Sequence, residues 1–572
     1  MLFLAALLPA CLAVAHLGNV ADAAHDAGVA RAMGLQAEPW RALDVLVASA
    51  FAVLPLGTRA ARAALGEALV VAAAGAVLYR VTRRLAGACA DAPRVGALTS
   101  AIATCAALCA PLWQTEASAV AGSATGALLV LLPIAVLARD PEDGGPPWRA
   151  CLFGVALAMG YEPLVGGCAL AACAAFVGVG AHQRRGLAAA WATDARGLAL
   201  SFAAGLAPLI LALLRTSVAG VPLGAALAEA LAGERGVSHG GSPVPLLRAE
   251  FGGVLGALAI GGTVLAARVP RARPLGAALL AAGLTGFACG WAGAPVGPTR
   301  FGAPVLAATG AACALAGVAL QAVVQGIARA RVPMARASAA MVLVLELAIP
   351  VDSADEALLR TAPRAGGAAA RWDDVVWGEL PPRTVVLVTD PRLGRRAAAA
   401  QAIGDLRGDI AVVPAQTRGA AASRVLAEDP ALVPLWRDLE LAGSPSEASL
   451  SSLASVRPLA MAYEPRWGRA LGRHLVPLAL LDRFEPEPRG ASDRRKALDL
   501  FASKRTRLAQ AVGKDPELAE AAAYLLRARA LDVAESGDRD LVGRTVDDLH
   551  AVAPDDPAGS ALVTGVAPGK AR

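Results

Sequence analysis

Along this chain the apolar positions gather into blocks separated by short polar stretches. The blocks fall at 1–18, 64–79, 95–112, 118–138, 149–161, 163–181, 197–214, 251–267, 275–291, 305–323 and 337–350. Most approach the roughly 20 residues that a helix needs to cross a bilayer, where only a helix or a closed barrel satisfies its own backbone. About eleven membrane-spanning helices are predicted. A further apolar run, "LDVLVASAFAVLPLG" (43–57), ends in Pro55 and Gly57 and reads as a helix lying in the interface or re-entering it.

After Pro350 the pattern changes. "PPRTVVLVTD" (381–390), helical "GRRAAAAQAIGDL" and "DIAVVP" make a strand–helix–strand unit, with further strand candidates at 457–465 and 474–484. From 491 the spacing is helical, and Asp515-Pro516 makes a good helix start. The expected organisation is a membrane domain over 1–350 with a first outer loop at 19–63, then an α/β region (351–490). A helical, tetratricopeptide-like region (491–555) and a tail (556–572) complete it.

Composition agrees with that division. The 572 residues are 56% hydrophobic and only 17% charged, too apolar for a set of soluble domains. The net charge of +6 does not point to nucleic acid, because the basic residues are spread over short loops on alternate sides of the spans. Loops 80–94, 139–149, 182–196, 268–273 and 329–336 hold fifteen arginines; the short loops opposite (113–117, 161–163, 291–304) hold only Arg300. That asymmetry predicts a cytoplasmic N-terminus. The stretch 18–34 and everything after Pro350 are then expected to lie outside.

The nine cysteines show no metal-binding spacing and read as small packing residues. "LPAC" looks like a lipoprotein cleavage site, but no basic segment precedes the apolar run, so a retained first helix is expected. Ionisable residues near spans are more informative, since they are costly in a bilayer. They cluster at outer ends: Asp22, His25 and Asp26 in "GNVADAAHDAGVARAMG", Glu116 in "LWQTEAS", Glu162 in "GYEP", and the outer arginines Arg248 and Arg300. They suit either one outward-facing cavity or a set of solvated loop residues. Glu67 and Glu346 read as interfacial or interhelical.

The order of features resembles the membrane family called domain of unknown function 2723, related to transmembrane protein 260 and classed with GT-C glycosyltransferases. The resemblance rests on "FAVLPLG", "VLYRVTRRL", "LWQTEASAVAGSATGALLVLL", "GVALAMGYEPLV", "ELPPRTVVLVTDPRLG", "RPLAMAYEP" and "LVPLALL". It implies transfer of a sugar from a polyprenyl-phosphate lipid to an extracytoplasmic acceptor, protein or glycan. Such chemistry uses a carboxylate near the acceptor hydroxyl and cations at the departing phosphate. By that likeness Asp22 or Asp26 is the acceptor-side carboxylate and His25 a helper; Glu116 and Glu162, from their place at the outer ends, are the candidate substrate contacts, and Arg248 or Arg300 the donor-phosphate contact. The lipid-linked donor is the only bound group implied; a divalent metal is left open. The family's Asp-x-Gly-Glu and His-Pro-Pro appear here as Asp22 with Ala24 and His25, and as Ala37-Glu38-Pro39. These departures also suit a non-catalytic relative that anchors partner-binding outer regions. A transporter is the weaker reading, because paired broken spans are not evident.

Overall fold

The computed structural model describes residues 1–15, 17, 40–55, 59–90, 92–120, 122–139, 148–218, 244–291, 302–330, 337–345, 372–403, 406–415, 429–462, 469–478, 480–502, 504–512, 516–535, 539–554 and 556–563, with a few isolated positions between. The chain forms two compact units, one built on 1–20 and 36–362, the other on 363–572.

The first unit is helical. Its elements are α1 (Leu2–Ala15), α2 (Ala42–Ala52), α3 (Arg59–Cys89), α4 (Pro93–Leu108), α5 (Pro111–Ser118), α6 (Ala124–Leu137), α7 (Trp148–Tyr161), α8 (Pro163–Val179), α9 (Ala181–Gly205), α10 (Ala207–Val218), α11 (Val244–Arg268), α12 (Arg273–Trp291) and α13 (Ala303–Arg329). A further helix, α14, covers 337–345. Every apolar block of the sequence thus carries helix, and the 43–57 run contains α2. By length and apolarity Ala61–Cys89 and Ala303–Arg329 each suffice to cross a membrane. Two bent pairs raise that to four among the described residues, and shorter apolar helices surround them.

α13 is the centre of the bundle and is buried along most of its length. It packs on α3, α4, α6, α11 and α12, largely through alanine and glycine, which let helix backbones approach closely. Outward, Phe3, Leu200, Ile260, Leu284 and Val344 stand exposed, an apolar belt of the kind a bilayer covers. All nine thiols are free; Cys151 and Cys173 meet at 3.6 Å between α7 and α8.

Two places differ from the simple span pattern. The 95–112 block breaks at Cys109–Ala110, and α5 leaves α4 at 63°. A break in an apolar helix orphans carbonyls; here the Gln114 amide donates to Leu108 O at 2.6 Å and to Pro9 O on α1 at 3.1 Å. The 197–214 block likewise breaks at Leu206, between α9 and α10.

The second unit is a layered α/β fold with β1 (Val385–Val388), α15 (Pro391–Ile403), β2 (Ala411–Pro414), α16 (Val433–Ala442), α17 (Glu447–Val456), β3 (Leu459–Met461), α18 (Arg469–Gly472), β4 (Leu475–Pro477) and β5 (Asp482–Phe484). Helices α19 (Ala491–Ala502), α20 (Arg505–Val512), α21 (Pro516–Glu535), α22 (Arg539–Val552) and α23 (Pro557–Val563) follow. Sheet order is β2-β1-β3-β5-β4, parallel across β2, β1 and β3 and antiparallel beyond. The 474–484 run is a hairpin, reversing where Leu478 N–H donates to Leu481 O.

β1 shows why its sequence is apolar throughout. Val386 and Val388 join Leu508, Leu525 and Leu549 on one face, while Val385 and Leu387 join Leu435, Trp436 and Leu450 on the other. A strand covered on both faces has no polar alternation. The terminal helices are therefore part of the same core as the sheet. Buried arginines add to this union. Arg529 on α21 reaches Asp482 Oδ1 at 3.0 Å and Leu481 O at 2.9 Å. Arg494 on α19 donates to Gly472 O and to Asp532, each at 2.6 Å. Burial pushes the Asp482 carboxyl above its ordinary range, against the pull of Arg529 and Arg494. The stretch read as a tail begins with α23.

Candidate functional site

One end of the helical unit gathers ionisable side chains. It is the end where α3, α6 and α8 begin and α7 finishes. Arg41, Asp44, Glu67, Glu116, Tyr161 and Glu162 meet there, with Ser123 and Thr125.

Local sequence explains the positions. Gly66 lets α2 lie directly on α3, since a Cβ there would come within 2.3 Å of Val47 Cγ1 and 3.1 Å of Phe51. That contact sets Asp44, in the first turn of α2, beside the Glu67 turn. Gly126 does the same for the Tyr161 ring, whose Cε1 would lie 2.8 Å from an added Cβ. The first residue of α8 is Pro163, which suits a helix N-terminus and leaves Glu162 extended at the corner between α7 and α8.

Two kinds of bonding operate. Glu67 and Glu116 serve the start of α6, whose first amides lack intrahelical partners. Thr125 donates to Glu67 twice, from N–H at 3.1 Å and from Oγ1 at 2.9 Å. Ser123 N–H donates to Glu116 Oε2 at 2.8 Å. Both glutamates are 2% exposed, and Asp44 and Glu116 fall within electrostatic reach of Glu67.

The second group binds the segment around Arg41 to the α7–α8 corner. Arg41 donates to Glu162 Oε2 from Nε at 3.1 Å and Nη2 at 3.0 Å. Its backbone N–H donates to Tyr161 O at 2.8 Å, and its guanidinium lies 5.9 Å from the Tyr161 ring centroid. Tyr161 in turn donates its hydroxyl to Asp44 Oδ2 at 3.0 Å. Arg41 holds a left-handed backbone, φ 58°, uncommon for a side chain with a Cβ. Such strain persists where surrounding contacts over-determine it. The Arg41–Glu162 pair is the more open part, at 19% and 23% side-chain exposure.

Of the residues singled out by sequence, Glu116 and Glu162 are brought to this end together. Asp22, His25, Asp26 and Arg300 lie outside the described residues. Arg248 lies on α11, its side chain outside them as well. Sequence reasoning passed over Arg41, Asp44 and Thr125 and set Glu67 aside. A signal existed for Glu67: a carboxyl two helical turns inside an apolar helix is costly enough to need a partner. Among the described residues no group of three His, Cys, Asp or Glu side chains is placed to share a metal ion.

A multi-pass helical bundle with a buried, acid-rich polar cluster at one end is the class these features define. In overall fold the chain is similar to the crystal structure of ArnT from Cupriavidus metallidurans bound to undecaprenyl phosphate. The two share 17% identity and a TM-score of 0.51, over 83% of this chain and 95% of that one. The apo structure of the same ArnT aligns at 15% identity over 82% and 94%, with a TM-score of 0.46. No family of known proteins matches the sequence, and no curated protein matches it. The fold is therefore that of a helical membrane-type bundle, similar to the ArnT structure.

Proposed function

We propose that the protein is a GT-C glycosyltransferase that moves a sugar from a polyprenyl-phosphate lipid to an extracytoplasmic acceptor. One observation carries the reading: the likeness to an ArnT crystallised with undecaprenyl phosphate runs over 83% of this chain. The polar cluster supports it. It lies at the bundle end that carries α2, which belongs to the 19–63 stretch in which the resemblance to the domain of unknown function 2723 family puts the acceptor-side carboxylate.

In this proposal Asp22 or Asp26 is the base toward the acceptor hydroxyl, with His25 beside it, and Arg248 or Arg300 meets the departing lipid phosphate. Glu162 acts through Arg41, fixing the residues just before α2 against the α7–α8 corner. Glu116 and Glu67 hold the α6 start rigid beneath the site. Asp44 positions the Tyr161 hydroxyl. The proposed topology has about eleven spans in a bacterial plasma membrane, a cytoplasmic N-terminus and an extracytoplasmic second unit. The lipid-linked donor is the only bound group the proposal requires.

The test uses Asp22→Asn, Asp26→Asn and the double variant in the native host. Loss of a cell-surface glycan or glycoprotein signal at unchanged protein level is expected; normal glycan in all three overturns the proposal. The departures at Ala24 and His25 favour one other reading, a non-catalytic scaffold of the same fold. That reading predicts that Asp22→Asn, Asp26→Asn and the double variant all leave the glycan signal normal.

A further inference from the structure

The opposite end of the helical unit carries a feature independent of any transferase activity. Between α8 and α9 the chain turns by 110°, and α9 kinks at Asp194 (φ −143°, ψ 36°). The half before the kink has two faces. Leu187 and Ala190 pack on the bundle core near Trp148, and an added Cβ on Gly186 would lie 3.8 Å from Trp148 Nε1. Trp148 is the first residue of α7, so this half lies at the end away from the polar cluster. The kink itself is held by an ion pair between Asp194 and Arg149 at the base of α7.

The other face is uncovered. Arg184, Arg185 and Arg196 are exposed and make no ion pair with described residues, and Trp191 is 57% exposed. Arg184 and Trp191 are seven residues apart and share a helix face, as Arg185 and Ala192 do. A loop serving only as a topology signal needs arginines but neither helical order nor an outward indole. Trp ranks among the side chains enriched at the bilayer–water boundary, and a helix with a basic face and an aromatic residue suits the plane of an anionic membrane surface.

We propose that the first half of α9, residues 181–193 with Arg196, binds the headgroups of anionic phospholipids. The arginines meet lipid phosphate, while Trp191 enters the headgroup layer. A basic side chain near an anionic leaflet contributes about fivefold in affinity, so three should give roughly a hundredfold.

The test uses the full-length protein in detergent, with thermal midpoints recorded during titration with dioctanoyl phosphatidylglycerol. Dioctanoyl phosphatidylcholine and inorganic phosphate are the comparison probes. The wild-type protein should be stabilised selectively by phosphatidylglycerol. The Arg184→Gln/Arg185→Gln/Arg196→Gln variant should need roughly a hundredfold more of it, with its midpoint in phosphatidylcholine unchanged. Trp191→Phe supplies a second readout: it should remove a fluorescence component that phosphatidylglycerol with brominated chains quenches. Undiminished phosphatidylglycerol affinity in the triple variant overturns the proposal. So does equal stabilisation by inorganic phosphate, which would identify a soluble-anion site, or an unquenched Trp191.

Discussion

The tie between Glu67 on α3 and Thr125 in the first turn of α6 can be measured directly. Thr125 donates from both its backbone amide and its hydroxyl to one carboxyl group in a water-poor setting. Glu67→Ala removes both acceptors and leaves a buried amide without a partner. One lost hydrogen bond is worth about 0.5–1.5 kcal/mol and an orphaned buried donor about 1–3, so a total near 2–4 kcal/mol is expected. Thr125→Val removes the hydroxyl bond alone. In a double-mutant cycle the coupling between the two substitutions therefore reports that single bond, and about 0.5–1.5 kcal/mol is expected, in line with interhelical hydrogen bonds in membrane proteins. The assay is reversible unfolding of the purified protein in mixed detergent micelles with increasing dodecyl sulfate. A coupling indistinguishable from zero, or a Glu67→Ala protein as stable as the wild type, would refute this account of the α6 start.

Other positions give sharper signs than sizes. At Arg41 the left-handed backbone makes Arg41→Gly more stable than Arg41→Ala by about 1 kcal/mol, readable by the same unfolding assay although both lose the Glu162 pair. Gly66→Val drives a side chain into Val47 and Phe51 and should cost about 1–3 kcal/mol by overpacking; an unchanged midpoint would show that α2 does not rest on α3. In the second unit, Arg529→Met leaves Asp482 buried without that cation and should cost about 3–5 kcal/mol, whereas Arg529→Met with Asp482→Leu should recover most of the loss. Asp409 is held down at about 2 by hydrogen bonds from Arg407 and the Arg383 backbone, below the ordinary aspartate value near 3.9. A lowered folded-state value stabilises above the ordinary one, and that contribution fades as pH falls from about 4 toward 2. Asp409→Asn should flatten acid unfolding in that window, as followed by circular dichroism.

Much of the architecture was legible because apolar block length is a strong signal. Each block from 1–18 to 337–350 carries helix, and β1 declared itself by an unbroken Val/Leu run. The breaks at Cys109–Ala110 and Leu206 were not legible, since Ala/Leu-rich sequence is equally helical on both sides. They depend on distant partners such as Gln114 reaching Pro9. The 478–481 reversal was missed because "LALL" has no turn residue. At the candidate site, Glu116 and Glu162 were found by the rule that polar groups in apolar surroundings are informative. Asp44 and Arg41 were not, because their significance comes from Tyr161, more than a hundred residues away. That pairing is tertiary and leaves no local trace.

The double hold on α6 constrains how this end of the bundle can move. Its first turn is fastened to α3 through Glu67 and to α5 through Glu116. Sliding either helix lengthwise would strip an amide of its acceptor where no water replaces it. Helices α3, α5 and α6 should therefore travel as one block. Any opening at this end then has to be taken up at the Arg41–Glu162 corner, the more open part of the cluster, where water can reach the guanidinium and carboxylate as they part.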